Sequence, residues 1–165
     1  MKIHKILYTL FLVMHQSDHV MPFPQKYLIT RCPNHRVFRH MAYRVLLMDD
    51  EPAICEITGI LLKKMGYDPT IAVTGEEALA EYKKARANGN PYDVLILDLT
   101  IPGAMGGREV ISIIRETDPE VKVLVSSGDL SDPAIVSYKE YGFSGVLAKP
   151  YNKASLDQAI KSVLS

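Results

Sequence analysis

The chain has 165 residues, enough for one domain with a full core but cramped for two. Its 19 basic and 19 acidic residues cancel overall, yet they are unevenly placed. Residues 1–42 carry six Lys/Arg, one acid and all five histidines, a net charge of +5, whereas residues 43–165 carry 13 basic and 18 acidic residues, a net charge of −5. An acidic body without a basic cluster argues against nucleic acid as a partner.

The first 42 residues form a region of their own. Two lysines precede a short apolar run, residues 6–14, which resembles the start of a signal peptide. The run is too short to span a bilayer and no small-residue cleavage site follows it, so we expect no membrane partner. Cys32, His35 and His40 lack a fourth ligand and make a weak metal pattern. We expect residues 1–42 to be an N-terminal extension that is poorly ordered or spurious.

Short apolar runs alternate with amphipathic stretches from residue 44 onward. This alternation is typical of βα units around a parallel sheet. Most of the runs are almost continuously apolar, as expected of strands that are covered on both faces. The five predicted strands are Arg44–Met48, Pro69–Val73, Asp93–Leu97, Val121–Val125 and Gly145–Ala148.

Each predicted strand is followed by a helical pattern. The first helix is predicted to begin near Pro52 and to end at Gly66. Thr74 begins a capping box that starts the second helix, and Asp132 and Asn152 begin the fourth and fifth. The apolar faces expected for the first, second, third and fifth helices are Ile54, Ile57, Leu61 and Met65; Ala78, Leu79, Tyr82 and Ala85; Val110, Ile113 and Ile114; and Leu156, Ala159, Ile160 and Val163.

Five right-handed βα units predict an α/β fold with three layers. The expected architecture is the flavodoxin-like (βα)5 arrangement, with parallel strand order 2-1-3-4-5. Ligands of such sheets bind in the crevice at the carboxyl ends of the strands, beside the switch point between strands 1 and 3. The fold therefore predicts where the chemistry lies but not which chemistry it is.

Acidic residues follow the two strands that flank this crevice. Asp49, Asp50 and Glu51 come directly after strand 1, and Asp98 comes directly after strand 3. Adjacent carboxylates in a partly buried cleft take up protons unless a cation neutralises them. Mg²⁺ suits the site because it binds through a few carboxylates and keeps several waters. Asp50 and Glu51 alone could equally well start a helix, but Asp98 ends an all-apolar strand and points into the crevice.

Two polar residues follow the remaining strands at the same edge. Lys149 precedes Pro150 after strand 5, so its ammonium can reach a phosphoryl oxygen. Ser127 precedes Gly128 after strand 4 and offers a hydroxyl where a phosphate would sit. Either pair alone is usually an ordinary loop. Acids, a serine and a lysine at four strand ends together indicate a functional site.

Residues 43–165 resemble the response-regulator receiver (CheY-like) family. The motifs that carry the resemblance are Met48-Asp-Asp-Glu51, Leu97-Asp-Leu-Thr-Ile-Pro102 with Gly106, Ser127-Gly128 and Lys149-Pro150. Their wording is most similar to receivers that are attached to hybrid sensor histidine kinases. The resemblance implies a receiver domain over residues 43–165 that acts as a cytoplasmic single-domain response regulator in a two-component phosphorelay.

The resemblance also implies a role for each motif residue. Asp98 would be the phosphorylated nucleophile, and Asp50 and Asp98 would bind Mg²⁺ directly. Asp49 would act mainly through metal-bound water, and the carbonyl group of Thr100 would be a further ligand. Such a domain is a phosphoacceptor and not an enzyme in the usual sense, with autophosphorylation and autodephosphorylation as its only expected activities.

Lys149 is expected to contact the phosphoryl group, and Ser127 to move towards it after transfer. The Lys149–Pro150 peptide bond is expected to be cis. Residues 43–165 contain no histidine, so the phosphohistidine donor would be a histidine kinase or histidine phosphotransfer protein, either as another protein or as another part of a larger system. A downstream effector is expected but not identified, because Val146 stands where the family often has an aromatic switch residue.

Two other functions compete with this interpretation. A haloacid-dehalogenase-like phosphatase also forms an aspartyl phosphate beside Mg²⁺, but it needs an acid two residues after its nucleophile, and here that residue is Thr100. A degenerate receiver would act as a binding module without being phosphorylated. The presence of all the key residues argues against this second alternative.

Overall fold

The structure, a computed structural model, describes residues 42–165. Our expectations for residues 1–41, including the pattern of Cys32, His35 and His40, lie outside the described residues. Strand and helix alternate throughout the described part. The elements are β1 (Arg44–Met48), α1 (Pro52–Lys64), β2 (Asp68–Ala72), α2 (Gly75–Ala87), β3 (Val94–Asp98), α3 (Gly107–Thr117), β4 (Lys122–Ser127), α4 (Pro133–Val136), β5 (Gly145–Ala148) and α5 (Lys153–Leu164).

The five strands form one parallel sheet in the order β2-β1-β3-β4-β5. This order confirms the predicted flavodoxin-like α/β fold. Strands β1 and β3 are neighbours at the centre, with Met48 opposite Leu97. The residues that follow these two strands therefore meet at one edge of the sheet, where the crevice was predicted.

Two cores cover the two faces of the sheet. Successive side chains of a strand point to opposite faces, so each central strand contributes to both cores. On one face, residues such as Leu46 and Leu95 pack with the buried sides of α2, α3 and α4. On the other face, residues such as Leu47 and Ile96 pack with α1 and α5. The result is three layers, with the sheet in the middle.

Some element bounds differ from the prediction in ways that affect the site. Strand β3 includes Asp98 and strand β4 includes Ser127, so each residue is the last of its strand and not the first of a loop. The ladder of hydrogen bonds thus holds the backbone of both residues. Helix α4 begins after Asp132 as predicted, but it is only four residues long.

The buried face of α1 overlaps only in part with the predicted one. The apolar spacing favoured Ile54, Ile57, Leu61 and Met65; Leu61 and Met65 are partly buried against the core, but Ile57 is 60% exposed. The residues that turn inward are Cys55, Thr58, Gly59 and Leu62. The small residues Cys55, Thr58 and Gly59 let the helix lie close to the sheet: a Cβ on Gly59 would come within 3.1 Å of the Ile71 side chain. Close packing on the sheet, and not apolar spacing alone, sets the orientation of the helix.

Strand β2 lies at the edge of the sheet and contains Pro69. The helix after it begins as predicted with Thr74, whose hydroxyl accepts the N–H of Glu77. The second hydrogen bond of the predicted capping box is different. The Glu77 carboxylate accepts the N–H of Val73 at 2.9 Å and not that of Thr74. Within residues 42–165, no helix has both the length and the apolar composition to cross a membrane.

Candidate functional site

The end of β1 presents two consecutive aspartates in different surroundings. Asp49 is only 1% exposed, and its Oδ1 accepts the backbone N–H of Glu51 at 3.0 Å. Asp50 is exposed. Strand β1 thus supplies one buried and one accessible carboxylate to the crevice.

Asp98 ends β3 and is 8% exposed. Its Oδ1 accepts the backbone N–H of Thr100 at 3.2 Å. The following loop returns to α3 at very short range: a Cβ on Gly107 would lie 2.7 Å from the carbonyl oxygen of Asp98, and one on Gly106 would lie 2.6 Å from that of Leu99. Both positions therefore require glycine, and the close approach fixes the backbone behind the Asp98 carboxylate.

Lys149 brings a positive charge from the end of β5 into this cluster. Its Nζ lies 2.6 Å from Oδ2 of Asp98 and 2.6 Å from Oδ2 of Asp49, with Glu51 further away at 3.9 Å. The contact with Asp98 has the geometry of a hydrogen bond, whereas Asp49 Oδ2 is paired by charge and has no hydrogen bond among the described residues. One ammonium therefore serves two buried carboxylates.

Burial and charge act against each other in this cluster. Burial lowers the pKa of Lys149, but the close contacts with Asp49 and Asp98 outweigh it, and the net pKa is raised. The pKa of Asp98 is also raised, because burial outweighs the hydrogen bonds and charge of Lys149 and the N–H of Thr100. The ammonium stays charged, and the carboxylates are short of positive charge.

The three aspartates are close enough to share a cation. Carboxylate oxygens of Asp49, Asp50 and Asp98 lie within 4.8 Å of one another. Ligands on opposite sides of Mg²⁺ are about 4.2 Å apart, since each bond is about 2.1 Å long. The all-oxygen donor set suits a hard cation, and the buried Asp49 Oδ2, which is paired by charge with Lys149, adds negative charge to the site. These residues fit a divalent ion.

Ser127 ends β4, but its hydroxyl is engaged in its own loop. It donates to the carbonyl oxygen of Asp129 at 3.3 Å and accepts the N–H of Asp129 at 3.0 Å. Val146 is partly buried on the α2–α4 side of the sheet. The Lys149–Pro150 bond is cis, as expected. The structure thus brings the carboxylates, Thr100 and Lys149 into contact, whereas the Ser127 hydroxyl is hydrogen-bonded within its own loop.

Two contacts of α1 with the site were missed by the sequence reasoning. The thiol of Cys55 donates to the backbone carbonyl of Asp49 at 3.0 Å, and burial, followed by the charge of Asp49, raises its pKa. The Thr58 hydroxyl lies 2.9 Å from the hydroxyl of Tyr151, two positions after Lys149. No local sequence signal marks the second contact, because its two residues are 93 positions apart.

Comparison with known proteins gives a consistent family. The profile of the response regulator receiver domain matches residues 45–161. RegX3, a sensory transduction protein of Mycobacterium tuberculosis, is 32% identical over 120 residues, which are 73% of this chain and 50% of RegX3. The transcription factor SKN7 of Saccharomyces cerevisiae is 25% identical over 132 residues, which are 80% of this chain and 20% of SKN7. The chain thus spans between a fifth and a half of these two relatives.

Solved structures share the fold. The chemotaxis protein CheY4 of Vibrio cholerae is 30% identical with a TM-score of 0.67, and the match covers 74% of this chain and 99% of that structure. A second match is the receiver domain of the sensor histidine kinase PA1611 from Pseudomonas aeruginosa, a structure with magnesium in its active-site cleft. It has a TM-score of 0.65 and is 21% identical, and the match covers 75% of this chain and 99% of that structure. At 21% identity the match supports the fold alone. A special likeness to hybrid-kinase receivers stays a prediction.

The profile match, the strand order and the neighbours agree with one another. We conclude that the chain belongs to the response regulator receiver domain family, whose members are phosphoacceptors in two-component phosphorelay signalling.

Proposed function

We propose that residues 43–165 form a receiver domain in which Asp98 accepts a phosphoryl group from a phosphohistidine. The observation that carries this proposal is the Lys149 ammonium, 2.6 Å from both Asp49 and Asp98 at the carboxyl edge of the sheet. Residues 42–165 belong to one compact unit, which supports the domain boundary. Asp98 lies at the centre of that edge, where a phosphoryl group can reach a carboxylate, a cation and backbone donors together.

The phosphoryl donor lies outside this domain. Residues 43–165 contain no histidine, so this domain supplies the acceptor and not the donor. A histidine kinase or a histidine phosphotransfer protein carries the required phosphohistidine. Because kinases draw phosphate from ATP, we place the domain in the cytoplasm.

The proposed reaction is an in-line displacement at phosphorus. A carboxylate oxygen of Asp98 forms a bond to phosphorus while the bond from phosphorus to the imidazole nitrogen breaks, and that nitrogen keeps the electron pair. The Lys149 ammonium offsets charge on the phosphoryl oxygens from its position beside Asp98. Transfer from small phosphodonors and hydrolysis of the product follow the same chemistry, with another leaving group or water as partner.

The acidic cluster supplies the metal site in this proposal. Asp50 and Asp98 would hold Mg²⁺ directly, Asp49 would act through metal-bound water, and the carbonyl group of Thr100 would complete the set. When bound, Mg²⁺ offsets the negative charge that collects on the phosphoryl oxygens. Ser127 turns from Asp129 towards the phosphoryl group once it is attached, and this rotation breaks the two hydrogen bonds that now hold its hydroxyl.

Helix α1 offers a docking surface for the donor protein. Ile57 and Ile60 are 60% and 46% exposed on the side opposite the core. They lie within the first three turns after Asp50 and Glu51, which border the crevice. Exposed apolar residues beside a functional site are typical of protein contacts, and the donor must bring its imidazole to Asp98.

Phosphorylation by a small donor tests the acceptor residue. The protein is incubated with Mg²⁺ and phosphoramidate, and intact mass is measured before and after hydroxylamine. We expect a gain of one phosphoryl group that hydroxylamine removes and that chelation of Mg²⁺ prevents. Asp98→Asn should abolish the gain, whereas Asp118→Asn, at the other end of the sheet, should keep it. An unmodified wild-type protein would instead favour a degenerate receiver.

A second experiment tests the donor surface. Ile57→Ser should slow transfer from a phosphorylated histidine phosphotransfer protein about tenfold, because an exposed apolar contact is lost. The same variant should react normally with phosphoramidate, which needs no docking. Val136→Ser, which changes a similarly exposed residue at the end of α4, is the matched control. Equal slowing of both donors by Ile57→Ser would place the effect in the site and not in docking.

A further inference from the structure

The hydroxyl groups of Thr58 and Tyr151 lie 2.9 Å apart. Thr58 is on the buried face of α1 and is 1% exposed. Tyr151 is partly buried and belongs to the short segment between β5 and α5. Their hydrogen bond therefore joins the first helix to the loop that follows the last strand.

This polar pair is not needed to fill the core. Valine has nearly the shape of threonine and could occupy the same position without a buried hydroxyl, and phenylalanine could replace tyrosine. The net stabilisation from one buried hydrogen bond is small, and a buried hydroxyl without a partner is destabilising. A hydrogen-bonded pair therefore adds little stability compared with two apolar side chains of the same shape. What the pair adds is a directional link between two parts of the site.

The link ends close to Lys149, since only Pro150 separates Lys149 from Tyr151. The surroundings of the Tyr151 ring agree with this proximity. Burial is the main cause that raises the pKa of the Tyr151 phenol, and the charges of Asp49 and Asp98 add to it, whereas Thr58 and Lys149 oppose it. The ring therefore lies within electrostatic range of the buried carboxylates that Lys149 contacts.

Helix α1 touches the site at a second point. One turn before Thr58, the thiol of Cys55 donates to the backbone carbonyl of Asp49 at 3.0 Å. The same face of one helix thus holds the end of β1 through Cys55 and the segment after β5 through Thr58. A rigid helix that contacts both segments fixes the spacing between Asp49 and Lys149.

We propose that the Thr58–Tyr151 hydrogen bond positions Lys149, so that its ammonium stays between the carboxylates of Asp49 and Asp98. Thr58 and Tyr151 are positioning residues, since neither contacts the carboxylate of Asp98. The expected effect on the rate of phosphoryl transfer rests on the proposed function. The expected effect on the position of the Lys149 ammonium is independent of it.

Three variants and a matched control test the link by kinetics. Tyr151→Phe, Thr58→Val and the double variant are compared in their rates of phosphorylation by phosphoramidate. Misplacement of a reacting group by about 1 Å can cost up to 100-fold in rate, so we expect a smaller loss of about fivefold in the maximal rate. The half-saturating Mg²⁺ concentration should not rise, because the carboxylates are untouched.

The control is Tyr67→Phe. It also removes a phenol that links the end of α1 to α5, because the Tyr67 hydroxyl donates to Asp157 at 3.2 Å, but it lies at the far end of the helix. We expect its rate to equal that of the wild type. A rate loss in Tyr67→Phe as large as that in Tyr151→Phe would overturn the proposal, because any missing phenol would then have the same effect.

The double variant separates position from stability. Replacing both hydroxyl partners with apolar groups of similar shape should restore the melting temperature to that of the wild type. The rate should stay about fivefold low and no slower than in either single variant. Recovery of the rate together with the melting temperature would overturn the proposal, because the bond would then be purely structural.

An NMR measurement reads the ammonium directly, without phosphorylation. The ¹H–¹⁵N signal of the Lys149 ammonium should be protected from water exchange in the wild type and in Tyr67→Phe. In Tyr151→Phe it should be weakened or lost, and an unchanged signal there would overturn the proposal. The two proposals can fail separately. If the signal is lost in Tyr151→Phe while phosphoramidate fails to modify the wild type, the link is supported and the proposed function is refuted.

Discussion

Asp118 and Asp98 lie at opposite ends of the parallel strands, and their carboxyl groups differ in pKa. Asp118 precedes β4, and its pKa is lowered: burial alone would raise it, but a 2.6 Å hydrogen bond from the Tyr82 hydroxyl, neighbouring backbone N–H groups and Arg86 at 3.1 Å outweigh burial. Asp98 ends β3, and its pKa is raised, because there burial outweighs the contacts with Lys149.

The difference separates a carboxylate that is fully hydrogen-bonded within the fold from the proposed phosphoacceptor. Asp118 has donors for both of its oxygens, so its negative charge is fully used within the fold. Asp98 shares a single ammonium with Asp49, and Asp50 adds further negative charge nearby. The missing positive charge at this end matches what a divalent cation would supply, and it costs stability when no cation is bound.

Removing the Lys149 ammonium should have the largest effect on stability. Lys149→Met leaves two buried carboxylates without a cation, and we expect the free energy of unfolding without Mg²⁺ to fall by about 3 kcal/mol. Mg²⁺ should recover part of the loss, because it binds the folded state and offsets the same charges. Urea denaturation with and without Mg²⁺ measures both effects.

The control for this substitution is Lys161→Met. Lys161 forms a surface ion pair with Asp157, and its side chain is 69% exposed. Its loss should change the unfolding free energy by less than about 0.5 kcal/mol. If the two substitutions lower the unfolding free energy by similar amounts, the buried ion pairs of Lys149 contribute no more to stability than a surface ion pair does.

Crowding the backbone behind Asp98 should have the next largest effect. In Gly107→Ala the added Cβ would lie 2.7 Å from the carbonyl oxygen of Asp98, so the loop or the helix must shift. We expect a loss of about 2 kcal/mol in unfolding free energy together with slower phosphorylation. Gly128→Ala is the matched control, because its Cβ would meet nothing within 4 Å. A well-tolerated Gly107→Ala would show that this approach does not hold the site.

Neutralising Asp98 should raise stability. Its raised pKa means that the ionised carboxyl group destabilises the folded state at neutral pH, where the unfolded state is ionised freely. We therefore expect metal-free Asp98→Asn to be about 1 kcal/mol more stable than the wild type. Mg²⁺ should stabilise the wild type more than the variant. A less stable variant would show that the Lys149 contact outweighs burial.

Neutralising Asp118 should have the opposite sign and a pH dependence. A lowered pKa gives a stability contribution that is present above the unfolded value, about 4, and is lost as the pH falls through the lower folded value. We expect Asp118→Asn to lose about 1 kcal/mol at pH 7 and less below pH 4. Urea denaturation at pH 7, 5 and 3 tests this. The exposed Asp68→Asn should show little change at any of these pH values.

The sequence was sufficient to predict the sheet order and the main contacts of the site. The apolar runs predict the strands, and the acids and the lysine that follow them predict the site, because the carboxyl ends of parallel strands lie at one edge of the sheet. Ser127 was placed correctly in the fold, but the orientation of its hydroxyl depends on the hydrogen bonds of Asp129, which spacing does not reveal.

The orientation of α1 could be predicted from periodicity only in part. Leu61 and Met65 pack against the core as predicted, but Ile57 is exposed, because close packing on the sheet favours small groups such as Gly59. The link from Thr58 to Tyr151 depends on this orientation. A helix turned by one residue would not have brought the two hydroxyl groups together.

The edge strand β2 has a consequence for self-association. The N–H of Asp68 bonds inward to the carbonyl of Tyr43, so alternate residues from Pro69 onward direct their backbone nitrogens outward. Proline has no N–H to offer, and that of Val73 is taken by Glu77. Within residues 68–73 only Ile71 keeps an outward N–H, although outward carbonyl groups remain. The edge therefore offers few backbone donors to a second molecule, which weakens the pairing of a further strand.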